Sequence, residues 1–76
     1  MSIEEKVIDL LVKKEIKNVY DFKDEINSYG FIEMILDIEA LFQIKIDDSN
    51  LIMEDMCNVS NIVKCVEELI EDVKDE

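Results

Sequence analysis

The sequence predicts an all-α fold, a four-helix bundle of three longer helices and one short helix. Three observations predict it. Apolar residues recur at helical intervals in three stretches, without the sustained alternation that builds a sheet. Proline is absent and glycine occurs once, so little interrupts those stretches. Hydrophobic residues make up 49% of 76, enough for one small core and too many for a disordered acidic tail. No repeat, low-complexity tract or composition shift divides the chain, and residues 1–76 are expected to form a single domain.

The first helix opens at Ser2, with Glu5 at the spacing of a capping box. Ile3, Val7, Leu10 and Leu11 then share a face. The pattern fades over residues 13–17, where lysines suit the negative end of the helix dipole. Residues 15–27, EIKNVYDFKDEIN, keep no helical period yet hold Ile16, Val19, Tyr20, Phe22 and Ile26. They are expected to form a long loop packed across the core through those side chains, a length that points to function.

A second helix is expected from Ser28 to Phe42, with Ser28 as N-cap, a position where serine is strongly preferred. At about 3.6 residues per turn, Phe31, Ile35, Ile38 and Phe42 fall together, flanked by Met34 and Leu41. That stripe is the core face. Roughly opposite lie Tyr29, Ile32, Leu36 and Ala40, mixed with Glu33 and Asp37. Burying this side too would bury two carboxylates, which is costly without cations. It therefore reads as a partner-docking face, apolar in the middle and acidic around it.

Next comes FQIKIDDSNLIMEDMC, with an alternating Ile44-Lys45-Ile46, a polar link and one helical turn around Met53 to Cys57. The last helix is expected from about Asn58–Ser60 to Val73, its apolar set being Val59, Ile62, Val63, Val66, Leu69, Ile70 and Val73. Ile46, Leu51, Met56, Val59 and Ile62 are expected to line the interior. Asp47, Asp48, Ser49, Asn50, Glu54 and Asp55 read as a solvated acidic loop and not as a metal site. The EF-hand pattern fails there, because Leu51 stands where a ligand belongs and no glycine follows.

The net charge of −12 argues against nucleic acid and anionic membranes as partners, and favours proteins with basic patches. The opening MSIEEKVIDL is acidic where a secretory leader is basic, no long apolar run follows, and Cys57 and Cys65 read as buried thiols, with a single disulfide between them as the alternative. A cytoplasmic location is expected. Histidine is absent, which removes the commonest general base and zinc ligand, and no CxxC spacing occurs. Ser28 has no base beside it in sequence and no G-x-S-x-G elbow, so an enzyme is not expected. A hydroxyl at a helix N-terminus is nonetheless well placed to carry a phosphate attached by another enzyme, because N–H groups and the dipole favour an anion there.

The segment DEINSYGFIEMILDIEALFQIKIDD resembles the recognition region of acyl and peptidyl carrier proteins. It shows an Asp/Asn-Ser-hydrophobic motif, an amphipathic helix with Glu and Asp, then Leu41-Phe42 and the Ile44/Ile46 stretch. DDSNLIMEDMCNVSNIVKCVEEL continues the likeness, which covers essentially the whole chain. The resemblance implies a four-helix bundle of the acyl-carrier-protein type, with Asn27 and Ser28 as the motif. Ser28 would receive 4′-phosphopantetheine from coenzyme A through a phosphopantetheinyl transferase, and the arm's thiol would hold acyl or aminoacyl cargo as a thioester. Tyr29, Ile32, Glu33, Leu36 and Asp37 would form the docking helix for loading and transferring enzymes with basic patches. Some interior residues would line a pocket for an acyl chain.

The implied protein is a stand-alone, monomeric carrier in fatty-acid, polyketide, nonribosomal-peptide or related biosynthesis. Asn27 stands where many fatty-acid carriers have Asp, Tyr29 where they usually have Leu, and the segment before the motif lacks their usual glycine. These departures lean toward a dedicated secondary-metabolite, lipopeptide or D-alanine-type carrier. The alternative is a small acidic helical adaptor or inhibitor that binds a basic partner through the same helix without modification.

Overall fold

A computed structural model describes residues 2–47 and 51–74, with side chains described as far as residue 70. Among the described residues four helices follow one another: α1 (Ile3–Lys13), α2 (Ser28–Phe42), α3 (Met53–Met56) and α4 (Val59–Lys74). No strand occurs among the described residues. The expected all-α bundle of three longer helices and one short one is what the chain adopts.

Ser2 caps α1, its Oγ accepting the Glu5 N–H at 3.1 Å. The other end closes through two crossed bonds, Glu15 N–H to the Val12 carbonyl and Ile16 N–H to the Leu11 carbonyl. This Schellman closure needs a left-handed residue, and Glu15 supplies it at φ 65°. It also carries Ile16 into the core beside Leu11, both of them buried. α1 packs along α4, whose Val59, Ile62 and Val66 are buried together with Val7 and Leu11.

Residues 15–27 form the expected packed loop. Phe22 is fully buried, Ile16 is buried, and Val19 and Ile26 are half-buried against the core. Tyr20 corrects the expectation, for it is 65% exposed. Asn18 explains it: its side chain accepts the Tyr20 N–H and its carbonyl the Asp21 N–H, a turn that leaves Tyr20 on the outside. Two backbone bonds fasten the loop to the α3–α4 junction, Val59 N–H to Val19 O (2.8 Å) and Phe22 N–H to Cys57 O (2.9 Å).

α2 buries Phe31, Met34, Ile35 and Ile38, as the sequence stripe requires. Leu41 corrects the expected flank, being exposed, and Phe42 is half-buried with the Lys6 ammonium 6.0 Å from its ring centre. The helix ends there because Gln43 turns left-handed at φ 56° and Ile44 enters the core. Glu39 holds that turn, its carbonyl accepting the Ile44 N–H and its carboxylate the Ile46 N–H at 2.7 Å. Ile44-Lys45-Ile46 thus alternates in, out and half-in without a strand, since these donors go to Glu39 and not to a neighbouring chain.

α4 starts one residue after Asn58, whose side chain accepts the Asn61 N–H at 2.9 Å. The side chains of Asn58 and Asn61 both donate to the Asp55 carbonyl, stitching α3 to α4. Of the expected interior residues, Met56, Val59 and Ile62 are buried, while Ile46 and Leu51 are partly buried against the core. In the acidic link, Asp48, Ser49 and Asn50 lie outside the described residues, as does the expected Val73 side chain.

Candidate functional site

The start of α2 answers differently from the sequence. Asn27, not Ser28, is the N-cap: its backbone is extended and its Oδ1 accepts the Gly30 N–H at 2.8 Å. Asn caps as well as Ser does, so the adjacent pair offers two registers and the structure takes the earlier one. Ser28 becomes the first helical residue, exposed, and its hydroxyl has no hydrogen-bond partner among the described residues. The reading of Ser28 as cap is overturned, and with it the competition between capping and chemistry.

The electrostatics favour an anion at that spot. The first-turn N–H groups and the positive dipole end lie there, and this first turn carries no acidic residue in a chain that has 20. Glu25, close upstream, is turned away. Its two carboxylate oxygens accept the Lys17 and Asn18 N–H groups at 2.8 and 3.0 Å. Those bonds hold its pKa below the ordinary 4.5, against a small opposing effect of desolvation.

Running from Ser28 along α2 is the second face anticipated from the sequence. Tyr29 is 73% exposed, Ile32 54% and Leu36 58%, with Ala40, Glu33 and Asp37 exposed among them. The structure therefore brings Asn27, Ser28, Tyr29, Ile32, Glu33, Leu36 and Asp37 onto one accessible side. Asp37 is not a lone charge, however. Lys14, at the end of α1, reaches its carboxylate at 2.6 Å.

Beside the same helix lies a partly open pocket of about 130 Å³, lined by Phe31, Ile32, Ile35, Leu36, Ile46 and the acidic Glu39. Of the residues expected to line an acyl pocket, only Ile46 borders it.

The chain's own thiols are poor substitutes for an attached one. Cys57 is buried and Cys65 half-buried, both unbridged. Burial pushes both pKa values up, and the charges of Asp21 and Glu68 add to it. Neither is poised as a thiolate. Among the described residues no His, Cys, Asp or Glu side chains cluster as a metal site, and no helix is long and apolar enough to cross a membrane.

Sequence reasoning missed two contributors here, Glu25 and Lys14, whose partners lie elsewhere in the chain.

A short-α3 helical bundle with an exposed serine opening α2, beside an apolar and acidic face, has the form of a phosphopantetheine-type carrier protein. The comparisons bear this out. The chain is 38% identical to the D-alanyl carrier protein of Streptococcus uberis over 91% of its length and 96% of that protein's. It is 36% identical to that of Streptococcus equi subsp. zooepidemicus and 37% identical to that of Streptococcus pyogenes, with the same coverage. The chain belongs to the D-alanyl carrier protein family, and it is a carrier rather than an enzyme. No family model matches it, and no solved structure matches it.

Proposed function

We propose that residues 1–76 act as a stand-alone cytoplasmic domain that carries an aminoacyl cargo, D-alanine, on a phosphopantetheine arm attached to Ser28. One observation carries the reading. Asn27 takes the cap, so the Ser28 hydroxyl stands exposed at the positive end of α2, with no hydrogen-bond partner among the described residues. When bound, the arm supplies a terminal thiol that holds the cargo as a thioester.

The residues present fit that group. The Ser28 and Tyr29 N–H groups precede the first intrahelical bond, from the Phe31 N–H to the Asn27 carbonyl, and such groups favour an anion at a helix N-terminus. The first turn of α2 lacks a carboxylate to repel it. Tyr29, Ile32 and Leu36 provide the apolar centre for docking the transferase and the enzymes that load and unload cargo. Glu33, with Asp37, attracts basic patches on those partners. The relatives' names agree with D-alanine as the cargo. Those names also favour a carrier over the unmodified adaptor, and over fatty-acid, polyketide or nonribosomal-peptide cargo.

The test is mass. Coexpressed with a promiscuous phosphopantetheinyl transferase and coenzyme A, the wild-type chain gains one arm and Ser28→Ala gains none. No gain on the wild type, or a gain that persists in Ser28→Ala, refutes the attachment. The modified chain, offered D-alanine with an enzyme that activates it and fatty acyl donors separately, accepts D-alanine. Loading by long acyl groups alone refutes the cargo.

A further inference from the structure

We propose that Gly30 is a positioning residue for Ser28: by lacking a side chain it decides that Asn27 and not Ser28 caps α2. The inference rests on Ser28 being the attachment point only for its consequence, not for its geometry.

Asn27 and Ser28 are adjacent, and each is among the best N-caps. Capping by Ser28 would turn its hydroxyl back onto the N–H groups of residues 30 or 31 and give it an extended backbone, so the hydroxyl would be occupied. Intrinsic preference does not choose between the two registers. Packing does.

Gly30 has ordinary helical φ, so conformational freedom is not its reason for being glycine. Close approach is. A Cβ built on Gly30 would meet Ile26 Cγ1 at 2.9 Å and Asn27 Oδ1 at 3.4 Å. The first contact is one that real side chains do not make. Cγ1 sits next to the branch point of a stiff side chain, so it cannot swing clear as a chain end would. Ile26 is half-buried against the core, which anchors the approach to α2. With glycine at 30, Ile26 lies on the first turn, Asn27 is held with its Oδ1 over the Gly30 N–H, and Ser28 is released. With a methyl there, Ile26 and Asn27 are pushed off the turn and Ser28 inherits the cap.

A glycine with no packing role predicts the opposite sign. Alanine is the better helix former, so an unhindered Gly→Ala change inside a helix raises stability. The proposal instead predicts a register change.

The 13Cα shift of residue 28 reads that register directly, whether or not anything is ever attached. In the wild type it is helical. In Gly30→Ala it moves toward extended values, and in Gly30→Ala with Ile26→Ala, which removes the obstruction, it returns. Transferase kcat/KM follows, falling at least about fivefold in Gly30→Ala, the population change that a cap preference of usual size produces, and recovering in the double variant. Asn27→Ala, which leaves Gly30 untouched and serves if Gly30→Ala fails to fold, shows the same shift and the same loss, and Asn27→Asp shows neither. A helical residue-28 shift in both Gly30→Ala and Asn27→Ala overturns the proposal, as does a Gly30→Ala defect that Ile26→Ala fails to repair. A wild type that takes no arm while the shifts behave as stated refutes the attachment at Ser28 and leaves the register argument standing.

Discussion

The Lys14 ammonium lies 2.6 Å from the Asp37 carboxylate and joins the end of α1 to the middle of α2. The pair sits at the edge of the face that carries Tyr29, Ile32 and Leu36. It trims the negative charge of that face from within the molecule. With both side chains partly exposed, it contributes on the order of 0–1 kcal/mol to stability.

Lys14→Met therefore changes the melting temperature little but uncovers Asp37. Association with a basic partner enzyme becomes faster and more sensitive to salt, because rim charges act mainly on the encounter rate. Stopped-flow association rates at two ionic strengths check this. An on-rate equal to wild type shows that Asp37 plays no part in docking.

Tyr29→Ala, Ile32→Ala and Leu36→Ala are expected to leave stability within about 0.5 kcal/mol, since these side chains are exposed. At least one should weaken partner binding by more than about 1 kcal/mol, the size of a contact at an interface centre. Denaturant melts and titration calorimetry separate the two effects. Large losses of stability would mean that this face is core.

Glu25 makes loop 15–27 sensitive to acid. Its pKa is lowered by the Lys17 and Asn18 N–H groups, so the folded state favours the carboxylate. A lowered folded pKa gives stability that is present above the ordinary value of 4.5 and is lost as pH falls through the folded value. Glu25→Gln should melt below wild type at neutral pH, and the gap should close in acid. A gap that is independent of pH would show that the charge of Glu25 is not what the variant lacks.

Glu15 and Gln43 occupy left-handed positions at φ 65° and 56°. A side chain there costs about 1 kcal/mol or more, and Glu15 adds a negative charge at the negative end of α1. Glu15→Gly and Gln43→Gly are each expected to raise the melting temperature by a few degrees, with the looser unfolded chain taking back part of the gain. A fall in melting temperature at either position would show that its side chain makes contacts worth more than the strain.

Much of the molecule was legible in its residues. The apolar period of α2 named both its buried stripe and its exposed face, because a helix fixes which side chains share a side before any partner is present. Ser2 with Glu5, and Asn58 before Val59, announced helix starts for the same local reason. Tyr20 was misjudged because its apolar ring said nothing of the turn that Asn18 builds under it. The partners of Glu25 and Lys14 were invisible, since the folding of the loop and the reach of Lys14 from the end of α1 to α2 bring them together.

Local chemistry, then, dictated the helices, the two-faced α2 and the presence of two cap-forming residues side by side. Only the packed molecule chose between those two, because Ile26 pressed against a bare backbone at Gly30 is a contact between loop and helix. No pattern along a chain records how closely two of its segments will approach.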